Sequence, residues 1–99
     1  MKEKLVRDKI PEIIGKATGK KPKLRKATEK EYFESLKQKL KEEMEEFLHD
    51  NNPEELADIM EIIYALAEHK KITKQQLEEM RKQKAKKRGG FKKRLILEF

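Results

Sequence analysis

The stretch Lys39-Leu40-Lys41-Glu42-Glu43-Met44-Glu45-Glu46-Phe47-Leu48-His49-Asp50-Asn51-Asn52-Pro53-Glu54-Glu55-Leu56-Ala57-Asp58-Ile59-Met60 decides the fold of this chain. Apolar residues recur at helical spacing on both sides of Asn51-Asn52-Pro53, which stops one helix and starts another. Asn52 supplies an N-cap and Pro53 a first helical residue, where its missing N–H costs nothing. So short a connection folds the two helices back antiparallel. The same stretch concentrates acid: nine carboxylates and no Lys or Arg between Glu42 and Glu61.

Working outward, the first long helix opens at Thr28-Glu29-Lys30-Glu31, a capping-box pattern, and runs to about Asp50. The second runs from Pro53 to about Lys70. Thr73-Lys74-Gln75-Gln76 is another capping box, and it starts a helix that meets Gly89-Gly90 after Arg88. Near the beginning, Asp8 is placed to cap a short helix through Ile10, Ile13 and Ile14, with Gly15 near its end. Residues 16–27 read as a basic loop. Arg94-Leu95-Ile96-Leu97-Glu98-Phe99 reads as a short strand or a docked extension. The expected fold is all-α, one domain over 1–99: a helical hairpin with additional short helices, completed as a four-helix-bundle-like assembly by oligomerisation.

The composition points the same way. Of 99 residues, 35% are apolar and 45% charged, so the core of a single copy is thin and a homodimer or higher homo-oligomer is expected. No run approaches the roughly 18 apolar residues of a membrane helix. Met1-Lys2-Glu3-Lys4 leads into too short an apolar run for a signal peptide. The absence of cysteine excludes disulfides, thiol nucleophiles and cysteine-bound zinc, and fits a cytoplasmic protein. The net charge of +7 hides a segregation, since nine basic residues and no acid lie between Arg81 and Arg94. An acidic centre asks for a cation and the basic remainder for an anion. A metal–phosphate ligand satisfies both.

At about 100° per residue, with Leu36 as zero, Leu40, Phe47, Phe33 and Met44 form the apolar stripe of the first long helix. Glu43 falls at about −20°, inside it, and Glu46 at about −80°, on its border. Glu42 and Glu45 point away. On the second helix, with Leu56 as zero, Ile59, Met60, Ile63, Leu66 and Ala67 make the stripe, and Glu55 and Asp58 lie on one flank. Each helix therefore offers an i, i+3 acid pair, Glu43/Glu46 and Glu55/Asp58, and the hairpin can face one pair with the other. Two carboxylates about 5 Å apart repel by roughly 3 kcal/mol at an effective dielectric near 20. Such a cluster either splays into water or is neutralised by protons or a divalent cation. Mg²⁺, a hard ion that takes carboxylate oxygens, suits the donors, with Mn²⁺ as an alternative.

Glu42-Glu43-Met44-Glu45-Glu46 followed by Glu54-Glu55-Leu56-Ala57-Asp58 resembles the ExxE…ExxD signature of the all-α nucleoside triphosphate pyrophosphatases, which include MazG proteins and phosphoribosyl-ATP pyrophosphatase. Leu5-Val6-Arg7-Asp8-Lys9-Ile10-Pro11 and Lys87-Arg88-Gly89-Gly90-Phe91 are similar to the end motifs of the short MazG-like branch. The resemblance implies Mg²⁺ held by Glu43, Glu46, Glu55 and Asp58. It also implies hydrolysis between the α- and β-phosphates of a nucleotide, with Glu43 or Glu46 as the catalytic base. Phosphate contacts are expected from Lys87 and Arg88, and more weakly from Arg7 and Lys9, for which a salt bridge to the acidic hairpin serves equally well. Only eight residues separate Glu46 from Glu55, a shorter gap than the family usually has. Phe33 and Tyr64 suit base stacking or the core, and His49 and His69 read as exposed helix-end residues. The rival functions are a nucleic-acid-binding module, disfavoured by the acidic hairpin, and a helical interaction module without catalysis.

Overall fold

A computed structural model describes residues 3–99; Met1 and Lys2, which begin the stretch read for a leader peptide, lie outside the described residues. Its four helices, with no strand among the described residues, are α1 (Ile10–Thr18), α2 (Glu29–Asp50), α3 (Pro53–His69) and α4 (Lys74–Arg88). The all-α expectation therefore holds, and no helix is long and apolar enough to cross a membrane.

The caps set most of these boundaries. Asn51 leaves α2 in the left-handed conformation (φ 57°), its N–H donating to the Phe47 carbonyl, and the Asn52 side chain accepts from the Glu54 N–H. The Thr73 hydroxyl accepts from the Gln76 N–H at 3.0 Å while the Gln76 side chain accepts from the Thr73 N–H at 2.9 Å, closing the full capping box. At Thr28 only half of the box forms. Its hydroxyl accepts from the Glu31 N–H, but the Glu31 carboxylate is taken by Arg25, which also grips Glu3 with two bonds of 3.0 Å. That clamp lays the segment before α1 along the hairpin, where Lys4 reaches Glu42 and Arg7 reaches Asp58.

Three local expectations fail. Asp8 does not cap α1; Lys9 is the N-cap, and the Ile10 N–H is already satisfied by the Arg7 carbonyl. Gly15 does not end the helix either. Gly19, at φ 69°, ends it, so the first four residues of the expected loop are helical or close the helix. The tail from Phe91 neither pairs as a strand nor docks: all of its residues are exposed.

The core is the α2–α3 hairpin. Leu36 from α2 and Ile62 and Ala67 from α3 are the buried apolar residues, and no side chain among the described residues is completely enclosed. On α3 most of the expected stripe does face inward, Ala67 being buried and Ile59, Ile63 and Leu66 half-buried, but the face extends toward the Glu55 flank. Glu55 and Ile62 are buried, with Ile59 and Leu66 half-buried beside them, whereas Leu56 and Met60 remain 47% and 43% exposed. The inward face thus reaches about 40° further toward that flank than the expected stripe. The apolar arc of α3 is wider than one neighbour can cover, and α2 takes the Ile59–Ile62–Leu66 side of it.

The surface left uncovered is large. For 11.8 kDa, a folded monomer exposes about 5,900 Å². This chain exposes 9913 Å². Its radius of gyration is 17.5 Å, against about 13 Å for a domain of this length. α4 accounts for part of the excess, because it meets α3 sparingly and does not touch α2.

Candidate functional site

The acids gather near the tip of the hairpin, where the end of α2 meets the start of α3. Glu55, the third residue of α3, is only 8% exposed, and its Oε2 is buried without a hydrogen-bond partner. Its carboxyl is pushed up from its ordinary pKa, first by burial, then by the charge of Asp50 and a hydrogen bond to it, then by Glu46 and Glu43. Glu43 is half-buried, as its place inside the α2 stripe predicts. It too is raised, chiefly by burial and then by the charges of Glu46 and Asp58, against the opposing pull of Lys39. The nearness of the Glu46 carboxylate adds to that rise. The sequence-predicted quartet thus shares one electrostatic neighbourhood.

Asp58 is the outlying member. It is half-buried and pairs with Arg7 at 3.3 Å, the salt bridge anticipated as the bland role of that arginine. Both side chains are substantially exposed, so the pair contributes about 0–1 kcal/mol. Lys9 serves as the N-cap of α1. Glu42 and Glu45 line a shallow open depression beside the cluster, together with Lys4, His49 and the cluster's own Glu46 and Asp50. Among the described residues no three acidic or histidine side chains converge on one point as a finished ligand set.

Lys87 and Arg88 are not brought to the acids of their own chain. They are exposed at the far end of α4, which starts from the end of α3 remote from Glu55, and neither contributes to the titration of Glu43 or Glu55. The aromatic residues sit elsewhere too. Phe33 stacks on His69 at 4.7 Å with Lys37 and Lys70 over its ring, and Lys74 covers Tyr64. Phe33 lies thirteen positions before Glu46 on α2, about 20 Å along the axis. His69 is therefore half-buried in an aromatic cluster rather than exposed.

Asp50 is the participant that pattern reading missed. It accepts from His49 Nδ1 at 2.6 Å, which draws its own pKa down and raises that of the exposed His49. It also faces Glu55 across the turn. The available signal was the tight connection itself, since a residue ending one helix and one starting the next must be close. Glu43, Glu46, Asp50 and Glu55 act on one another electrostatically around a buried orphan oxygen, and carboxylate oxygens are the donors hard divalent cations take, although no three of them converge on one point.

The chain matches no protein-family model, no curated protein and no solved structure.

Proposed function

We propose that the chain is a cytoplasmic Mg²⁺-dependent nucleotide pyrophosphohydrolase that cleaves an NTP, a dNTP or a related nucleotide between the α- and β-phosphates, giving the monophosphate and pyrophosphate. The observation that carries this reading is Glu55: a carboxylate buried among Glu43, Glu46 and Asp50 with one oxygen lacking any partner. A buried acid that no Lys or Arg neutralises disfavours the metal-free fold, and a divalent cation removes that cost. Glu43, Glu46, Glu55 and Asp58 are the residues to hold Mg²⁺, or Mn²⁺ in its place.

When bound, the cation would neutralise triphosphate charge and lower the pKa of a coordinated water. The chain's own residues do the rest. The raised pKa of Glu43 brings that carboxyl toward the range in which a general base accepts a proton from water near neutral pH. Arg7, 3.3 Å from Asp58, stands at the edge of the cluster as a cationic contact for a phosphate oxygen.

The assembly proposed with this activity is a homodimer or higher oligomer of hairpins. Met44 and Leu48 on α2 and Leu56 and Met60 on α3 are all exposed. Measured from the inward direction of each helix, these residues turn in one rotational sense and the acids in the other. Because the helices run antiparallel, the apolar set shares one side of the hairpin and the acids share the opposite side. A second copy can cover the first side without blocking the second.

The test is release of pyrophosphate and monophosphate from a panel of NTPs and dNTPs, with and without Mg²⁺. Mg²⁺-dependent formation of both products in equal amounts supports the reading. No product from any nucleotide, in protein shown to be folded, refutes it for that substrate class.

A further inference from the structure

The basic C-terminal arm has no counterpart within its own chain. Among the described residues, no Lys or Arg from Lys82 to Arg94 pairs with a carboxylate, and Arg81 pairs only with Glu78 on its own helix. Beyond the helix, Leu95, Ile96 and Leu97 are each at least 74% exposed, and Phe91 and Phe99 are fully open. A row of large apolar side chains left in water after a basic run is a surface awaiting a partner. The hairpin is its complement: Glu45, Glu46, Glu54 and Glu61 are exposed acids that pair with no base among the described residues.

We infer that the arm formed by the end of α4 and residues 89–99 docks on the acidic hairpin of a second copy of this chain. The arm sets out from the end of α3 farthest from the acids, and α4 does not turn back along α2, so its basic end is carried away from its own hairpin. Gly89, at φ 83°, gives the arm its change of direction after Arg88. Eleven residues after α4 reach up to about 36 Å when extended, enough to cross a neighbouring hairpin. An anionic membrane or a nucleic acid would accept the same basic arm, but either is repelled by the hairpin acids. A second copy uses both charge sets and covers apolar tail residues as well. The excess surface of about 4,000 Å² over a folded monomer leaves room for an interface well beyond the standard size of roughly 800 Å² per partner.

The test uses the full chain without metal, so its outcome is independent of the catalytic reading. Unlabelled and ¹⁵N-labelled chains are mixed in denaturant, refolded together and treated with a carbodiimide, which joins touching Lys and carboxylate side chains. Links from Lys87, Lys92 or Lys93 to acids between Glu42 and Glu61, about half of them joining light to heavy chains, are the expected result. Links confined to single-isotope pairs, or no links between arm and hairpin, would overturn the inference. In parallel, Leu95→Asp/Leu97→Asp is expected to weaken self-association at least tenfold by sedimentation. Unchanged association overturns docking of the tail, as does binding of the arm to phosphatidylserine vesicles by a protein that stays a single chain. Should the variant misfold, the cross-links on the unaltered chain decide.

Discussion

If a second copy covers the apolar side of the hairpin, unfolding is also dissociation, and the melting temperature must depend on concentration. The size of that dependence follows from the chain length and the exposed surface. Folded alone, the chain would bury only about two-fifths of the roughly 17,000 Å² its unfolded form exposes, against about two-thirds for small domains. Two chains of 99 residues unfolding together absorb about 140 kcal/mol near 60 °C, at about 0.7 kcal/mol per residue. For a dimer melting to two unfolded chains, that enthalpy raises the melting temperature by about 4 °C per tenfold rise in concentration. Between 1 and 100 µM the shift is therefore about 7–8 °C by circular dichroism or calorimetry. Leu56→Glu, which places a charge on the exposed apolar side, should flatten the slope. A melting temperature that is constant across the hundredfold range, in a protein with one cooperative transition, would refute the reasoning from missing burial.

Three further outcomes are expected. Glu43 and Glu55 are raised in the fold, so between the ordinary carboxylate range and their raised values the folded chain holds protons that the unfolded chain has released. Metal-free stability should therefore fall as pH climbs through that window. The lowered Glu3 and Glu31 act oppositely, their contribution being lost only as pH drops below the ordinary range; urea midpoints against pH, with and without Mg²⁺, read both limbs. Glu42→Ala and Glu45→Ala, at positions that line the depression beside the cluster but do not contribute to the shifts of Glu43 or Glu55, should keep nucleotide hydrolysis within a few-fold of the unaltered chain, whereas Glu43→Ala abolishes it. Thr73→Ala removes a cap worth about 1 kcal/mol from a helix with little packing to hold it, so amide exchange within α4 should speed up about fivefold.

Much of the fold was legible because it rests on local chemistry. Asn52 and Pro53, Thr73 and Gln76, and Thr28 each sit where their side chains can satisfy a helix start, and α2, α3 and α4 begin there. Asp8 misled because a backbone turn from Arg7 to Ile10 had already met the demand its side chain would have served. The inward face of α3 was legible only in part: Ile59, Ile63, Leu66 and Ala67 turn inward as their spacing implied, while Met60 stays exposed and Ile62 and Glu55 are buried. An arc that includes Leu56, Ile59, Met60, Ile62 and Ile63 fits two faces equally well, and only the packing against α2 selects one. That choice turns Glu55 inward, so the most informative acid was read as a flank residue. The acid pairs themselves followed from spacing, while Asp50 required knowing how closely the turn brings the helix ends together. Lys87 and Arg88 illustrate a different limit: their position depends on where a whole helix goes, and few apolar contacts direct α4.

The claim that the hairpin holds a divalent cation is tested most directly by calorimetric titration of Mg²⁺ into the metal-free full chain near neutral pH, beside Glu55→Gln. The account predicts saturable binding that tightens as pH rises and is therefore linked to proton release, because burial pushes Glu43 and Glu55 up and a cation favours their ionised forms. It predicts binding at least tenfold weaker in the variant. Absence of binding to the unaltered chain, or equal binding and proton release in Glu55→Gln, would contradict it.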